Sequence, residues 1–162
     1  MAKQPDKRPT PYHIAEAFSD DEIISSAKRI LRNKFKRGLA ITNPTTTKDY
    51  VHLELAEHEQ EVFACIFLDN RHRVILFEKL FFGTLTGATV HPREVVKRAL
   101  ALNAGAVIFA HNHPSGVAEP STADRSITKR LQHALELIDV RVLDHIVVGS
   151  EGVVSFAERE LL

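Results

Sequence analysis

The sequence predicts an α/β fold: a mixed β-sheet flanked by helices. Short apolar runs with strand character stand at 62–68, 73–83, 106–111, 144–148 and 153–156, and segments with apolar residues at helical spacing separate several of them. Turn chemistry joins neighbouring runs at Asp69-Asn70-Arg71-His72 and at Gly149-Ser150-Glu151-Gly152. A chain of 162 residues with 44% hydrophobic content is long enough for one compact core and too short for two large ones.

The elements follow in order. Residues 1–12, with three prolines among polar groups, read as a flexible tail. A helical segment over 13–44 precedes the main domain of 45–162. Within it Ser19-Asp20-Asp21-Glu22 has the form of a capping box, and Ile23, Ala27, Ile30, Leu31 and Phe35 recur near helical spacing until Gly38 offers a stop. A second helix is expected from Thr47 to about Glu59, carrying Tyr50, Val51, Leu53 and Leu55 with imperfect periodicity. After the hairpin of 62–68 and 73–83, a helix from Pro92 to about Asn103 leads to the strand at 106–111. The helix after Ser121 runs to about Ile138, with Ile127, Leu131, Leu135 and Ile138 on one side.

Chemistry concentrates in the stretch after the third strand: His111-Asn112-His113-Pro114, then Ser121 and Asp124. Residues i and i+2 of an extended segment point to the same side, so His111 and His113 can converge on one ion. Pro114 keeps His113 out of the helical region and turns the chain away from the sheet. The loop 115–120 is long enough to fold back, Ser121 or Thr122 can cap the next helix, and Asp124 then falls in its first turn, where the helix dipole favours a carboxylate. Two imidazoles and one carboxylate leave a fourth position open, the pattern of a catalytic rather than a structural zinc. The bland alternative, a pair of surface histidines at a strand end, applies to His-x-His alone; the added proline, serine and aspartate weigh against it.

The spacing His-x-His-Pro, six residues, then Ser-x-x-Asp resembles the JAMM or MPN metalloprotease signature. With His91-Pro92-Arg93-Glu94-Val95-Val96, Pro120-Ser121-Thr122-Ala123-Asp124 and Leu143-Asp144-His145-Ile146-Val147-Val148-Gly149, the chain resembles the RadC family over roughly residues 45 to 160. The resemblance implies an MPN/JAMM, cytidine-deaminase-like architecture and one Zn2+ per chain on His111, His113 and Asp124. It also implies a catalytic glutamate two residues before an aromatic position of the opening strand. Glu61 fits, with Glu57 and Glu59 as close competitors. Ser121 resembles the family's serine that donates a hydrogen bond near the metal; from the residues alone, an N-cap is an equal reading. The implied reaction is hydrolysis of an amide bond in a peptide or protein substrate. The runner-up reading is a non-catalytic MPN-type interaction or DNA-repair accessory protein.

Other residues receive structural readings. His91 is expected in the loop before a helix, His145 as a packed strand-end histidine with an orienting role toward a ligand as the alternative, and Cys65 as an inert core thiol. Ser115 lacks the Gly-x-Ser-x-Gly context of a hydrolase elbow. A single cysteine excludes an intramolecular disulfide, no stretch reaches the ~20 apolar residues of a transmembrane helix, and the first nine residues have no apolar segment behind them. A cytoplasmic protein without membrane contact is the expectation.

With 21 basic and 21 acidic residues the net charge is zero, so no strong basic field for nucleic acid is expected. A local cluster of Lys28, Arg29, Arg32, Lys34, Lys36 and Arg37 reads as the wet face of a helix. RadC-like proteins that resemble a fusion carry glycine-rich helix-hairpin-helix units before the metal domain. Residues 1–60 here contain only Gly38, so that module is expected to be absent and nucleic-acid binding weak or absent.

Overall fold

The structure is a computed structural model that describes residues 18–34, 38, 40, 41, 43–84 and 88–162. The expected tail of 1–12 and the helix end at Phe35 lie outside the described residues. Its elements are α1 (Asp20–Lys34), α2 (Pro44–Leu55), β1 (Val62–Leu68), β2 (Val74–Phe82), α3 (Pro92–Ala101), β3 (Ala106–Asn112), α4 (Thr122–Glu136), β4 (Arg141–Gly149) and β5 (Gly152–Ser155). The strands form one five-stranded sheet in the order β2-β1-β3-β4-β5. Every neighbouring pair is antiparallel except β3 and β4, which run parallel and are joined through α4. A parallel pair cannot be closed by a tight turn, and the helical crossover meets that requirement.

Side-chain alternation assigns each face of the sheet its own helices. On β1, Val62, Ala64, Ile66 and Leu68 face a core shared with Tyr50, Val51 and Leu55 of α2; Ala106, Ile108 and Ala110 of β3 join them. Phe63, Cys65 and Phe67 face the other way, with Val107 and Phe109 of β3, against Val95 and Ala99 of α3 and Leu131 and Leu135 of α4. Both faces are covered, which explains why β1 and β3 are buried along their whole length and read as continuous apolar runs.

Local chemistry sets the boundaries. The box before α1 forms as expected: the Ser19 amide donates to Glu22 Oε2 at 2.8 Å, and the Glu22 amide to Ser19 Oγ at 3.4 Å. The second helix starts earlier and ends earlier than expected, at Pro44–Leu55. Asn43 caps it by accepting from the Thr45 and Thr46 amides at 2.9 and 3.4 Å, and Pro44 takes the first helical position, where a missing N–H is harmless. The third helix stops at Ala101 because Asn103 adopts a positive φ of 50°, and the fourth stops at Glu136. β4 begins at Arg141, earlier than its apolar run, since Arg141 and Val142 pair with Ala106 and Val107. Among the described residues no helix is long and apolar enough to cross a membrane.

Candidate metal centre

β3 delivers the two histidines. His111 is the next residue in the Val107, Phe109 alternation, so its ring enters the α4 side of the sheet and is buried. Asn112 points to the opposite side, and His113 lies just past the strand, its amide donating to Val148 O at 2.7 Å. The chain then turns through Pro114 to Gly116, which has φ 89° and rests against the β4–β5 turn. At Gly149 a Cβ would stand 2.1 Å from the Gly116 carbonyl oxygen, so the return loop packs backbone to backbone on β4. This close contact carries the chain back to Ser121 and the first turn of α4.

Ser121 and Asp124 form a reciprocal cap. Ser121 Oγ accepts from the Asp124 amide at 3.1 Å, while Asp124 Oδ2 accepts from the Ser121 amide at 2.7 Å and its hydroxyl at 2.6 Å. The cap engages Oδ2 and leaves Oδ1 3.2 Å from His111 Nε2; His113 Nε2 is 3.3 Å from Oδ2. The two Nε2 atoms are 3.0 Å apart. Donor atoms of the three residues all lie within 4.8 Å of one another. The shorter separations are close to the ~3.3 Å edge of a tetrahedron whose ligands sit ~2.0–2.1 Å from zinc.

The surroundings fix which nitrogens face inward. Thr128 Oγ1 donates its one proton to the Asp124 carbonyl at 2.5 Å, so His145 Nδ1, 2.6 Å away, donates to that hydroxyl oxygen. His145 Nε2 is then an acceptor, and His111 Nδ1 donates to it across 2.8 Å. His113 Nδ1 donates to Val117 O at 2.8 Å. Both Nε2 lone pairs consequently face each other beside a carboxylate, an arrangement that only a positive charge between them reconciles, whether a proton or a metal ion. The electrostatics agree. Burial raises the Asp124 carboxyl, yet the positive charge it shares with His111 and His113, and the Ser121 hydrogen bond, outweigh burial and hold it far below the carboxylate range. The hydrogen bond to Asp124 lifts His113, against burial.

His145 is therefore more than a packed residue, and it lies in the middle of β4 rather than at a strand end. Fully buried among Phe63, Phe109 and Phe156, with ring centroids 5.5, 5.8 and 4.7 Å away, it is kept neutral first by burial and then by His111. Its orienting role toward His111 is the reading that the structure displays. The usable signal was the Leu-Asp-His register: Asp144 accepts from the His145 amide at 2.7 Å and the Ala157 amide at 3.0 Å, which ties the middle of β4 to the segment after β5. Thr128 went unnoticed in the sequence because a threonine four residues after Asp124 looks like any helical residue. Asn112 was also missed. Its Oδ1 accepts from the Val62 amide at 2.8 Å, and its Nδ2 donates to His58 O and Gln60 O, each at 3.1 Å, pinning the segment that carries Glu61.

Glu61, His111, His113, Ser121 and Asp124 all line one cleft of about 590 Å³, with Phe63 and Val90 among its apolar walls. Among the described residues Glu61's side chain is committed to no hydrogen bond or ion pair. Its competitors stand elsewhere: Glu57 pairs with Lys28 at 2.6 Å and Glu59 is exposed outside the cleft. His91 occupies the N-cap of α3 without capping it and packs edge-on against Phe81. Cys65 is wholly buried, and burial pushes its thiol up, as an inert core cysteine requires.

Comparison with known proteins agrees with this geometry. The RadC-like JAB domain family matches residues 41–161. A UPF0758 protein of Nitrosococcus oceani is 60% identical over 149 residues, 92% of this chain and 66% of that protein. One of Thioalkalivibrio sulfidiphilus is 59% identical over 140 residues, covering 86% of this chain and 62% of the relative. The chain thus spans a little under two thirds of these relatives, whereas it covers 94% of a UPF0758 protein of Vibrio cholerae that is 55% identical over 148 residues. The mixed sheet, its flanking helices and a family match over most of the length establish that the chain belongs to the RadC-like JAB domain family.

Proposed function

We propose that the chain is a zinc-dependent hydrolase that cleaves an amide bond in a peptide or isopeptide. The observation that carries this reading is the convergence of His111 Nε2, His113 Nε2 and Asp124 in a cleft that also presents an uncommitted carboxylate, Glu61. A zinc ion held by those three side chains supplies Lewis acidity and brings the pKa of a water toward neutrality. Glu61 takes the proton from the attacking water and delivers it to the leaving amine nitrogen. His145 and the Val117 carbonyl hold the two imidazoles in the orientation that keeps Nε2 inward. Ser121 fixes the Asp124 carboxylate through amide and hydroxyl and stands in the cleft wall; its single hydroxyl proton serves the developing oxyanion only by leaving Asp124 Oδ2, which the Ser121 amide still holds. Phe63 and Val90 give the substrate an apolar wall and exclude water from the reacting bond.

Two measurements test the reading. Elemental analysis of the purified wild type should find about one zinc per chain, and His113→Ala should lose it. Equal zinc in both proteins would remove the ligand assignment. In a peptide-library assay Glu61→Gln should keep the zinc and lose hydrolysis by at least about a hundredfold, since an amide cannot accept the proton. Full activity of that variant, beside loss in Glu57→Gln or Glu59→Gln, would move the base to the neighbouring residue. Zinc without turnover of any peptide would favour a non-catalytic module.

A further inference from the structure

The cleft contains a charged residue that the chemistry above leaves unused. Arg130 lines it together with Ala123, Ser126 and Ile127, the residues of α4 that recur on one side at helical spacing. It is exposed, and among the described residues its guanidinium has no ion pair or hydrogen bond. Arg125 of the same helix differs: it stands 4.0 Å from Glu119, which also holds Arg159 at 2.6 Å. The carboxylate of Asp124 in the same wall is already taken by His111, His113 and Ser121. Arg130 is thus a free cation in the cleft, separated along the helix from the metal ligands.

We propose that Arg130 anchors a carboxylate of the substrate, an inference that rests on the hydrolase reading and names its substrate class. Arg130 stands six positions along the helix from Asp124, about 9 Å at ~1.5 Å per residue. An extended peptide covers that in about two to three residues at ~3.3 Å each. The substrates are peptides or isopeptides with a carboxylate that far from the scissile bond, borne on an acidic side chain or on a free C-terminus. A planar guanidinium grips such a group through two parallel N–H donors, which fixes its position as well as its charge. With zinc bound, the ion's charge offsets Glu61 and Asp124, so the reacting centre has no net charge and Arg130 is the cation left to hold the carboxylate; gripping it at that end sets the peptide's direction in the cleft.

The test is an NMR titration of the zinc-loaded full chain with three matched probes: a blocked tetra-alanine as the free acid, the same peptide as its amide, and the amide with one alanine replaced by glutamate. The wild type should prefer a carboxylate-bearing probe to the neutral amide about tenfold, the low end for a charge-assisted hydrogen bond at an exposed site. Which of the two charged probes is preferred tells the C-terminal source from the side-chain source. Arg130→Gln should bring the preference to about one with zinc content unchanged, and Arg130→Lys should keep part of it. Equal binding of all three probes by the wild type, or a preference that survives in Arg130→Gln, overturns the anchor. A preference without cleavage of any probe counts against hydrolysis alone and leaves the anchor standing. Cleavage that ignores both the carboxylate and Arg130 does the reverse.

Discussion

Thr128 and His145 decide which nitrogen of His111 is available, although neither belongs to the proposed ligand set. The carbonyl of Asp124 can only accept, and this one constraint propagates through a hydroxyl and an imidazole to orient the His111 ring. Thr128→Val keeps the shape and removes the hydroxyl, leaving the His145 Nδ1–H buried without an acceptor. Stability should fall by about 1–3 kcal/mol in denaturant titration, and zinc affinity by about tenfold in chelator competition. Unchanged affinity would show that His111 holds its orientation by packing alone. Ser121→Ala tests the other ligand: loss of the hydroxyl should cost about 1 kcal/mol in denaturant titration and leave Asp124 Oδ2 held by the residue-121 amide alone.

The elements position these residues through contacts that a local pattern does not reveal. Asn112 sits between the two histidines of the candidate centre yet serves the opposite side of the sheet, tying the α2–β1 connection to β3 through three hydrogen bonds. Asn112→Ala should retain zinc, lose about 2–3 kcal/mol of stability and speed exchange of the Val62 amide, because buried backbone groups lose their partner. Gly149→Ala acts on the return loop. Its new methyl meets the Gly116 carbonyl, which is backbone and cannot swing aside, so the loop must shift. A loss of roughly 1–3 kcal/mol with reduced zinc occupancy is expected from melts and elemental analysis; full occupancy would mean that Asp124 is placed by its cap and helix without the loop. These contacts also explain what the sequence revealed. Alternation and spacing sufficed for the strands, for the capping box at Ser19 and for the convergence of His111, His113 and Asp124, all of which rest on neighbours close in the chain. Asn112, Thr128 and His145 act on partners 50, 17 and 34 residues away, and no periodicity reports such pairs. The early start of α2 was legible in Asn43-Pro44-Thr45 but was outweighed by its irregular apolar spacing.

At the scale of the whole molecule, charge balance limits what the surface can attract. Basic and acidic residues number 21 each, and the cluster after Lys28 is partly neutralised within the fold. Lys28 pairs with Glu57 at 2.6 Å, and Arg32 pairs with Glu54 at 2.6 Å, both carboxylates supplied by the α2 region. Such pairs add little to stability, but they lower the positive potential that a phosphate backbone would meet. Among the described side chains of the cluster, Arg29 has no ion pair; Lys36 and Arg37 lie outside the described residues. Among the described residues, duplex DNA should therefore meet only a few free cations. Each phosphate neutralised contributes about −0.9 to the slope of log affinity against log salt, so a slope no steeper than about −3 is expected, with binding that fades by about 150 mM salt. Titrating labelled duplex at several salt concentrations measures both quantities. Sub-micromolar binding at about 150 mM salt, or a slope near −6 or beyond, would require a basic face that these ion pairs do not leave open, and would bring forward the accessory reading in which nucleic acid is the partner.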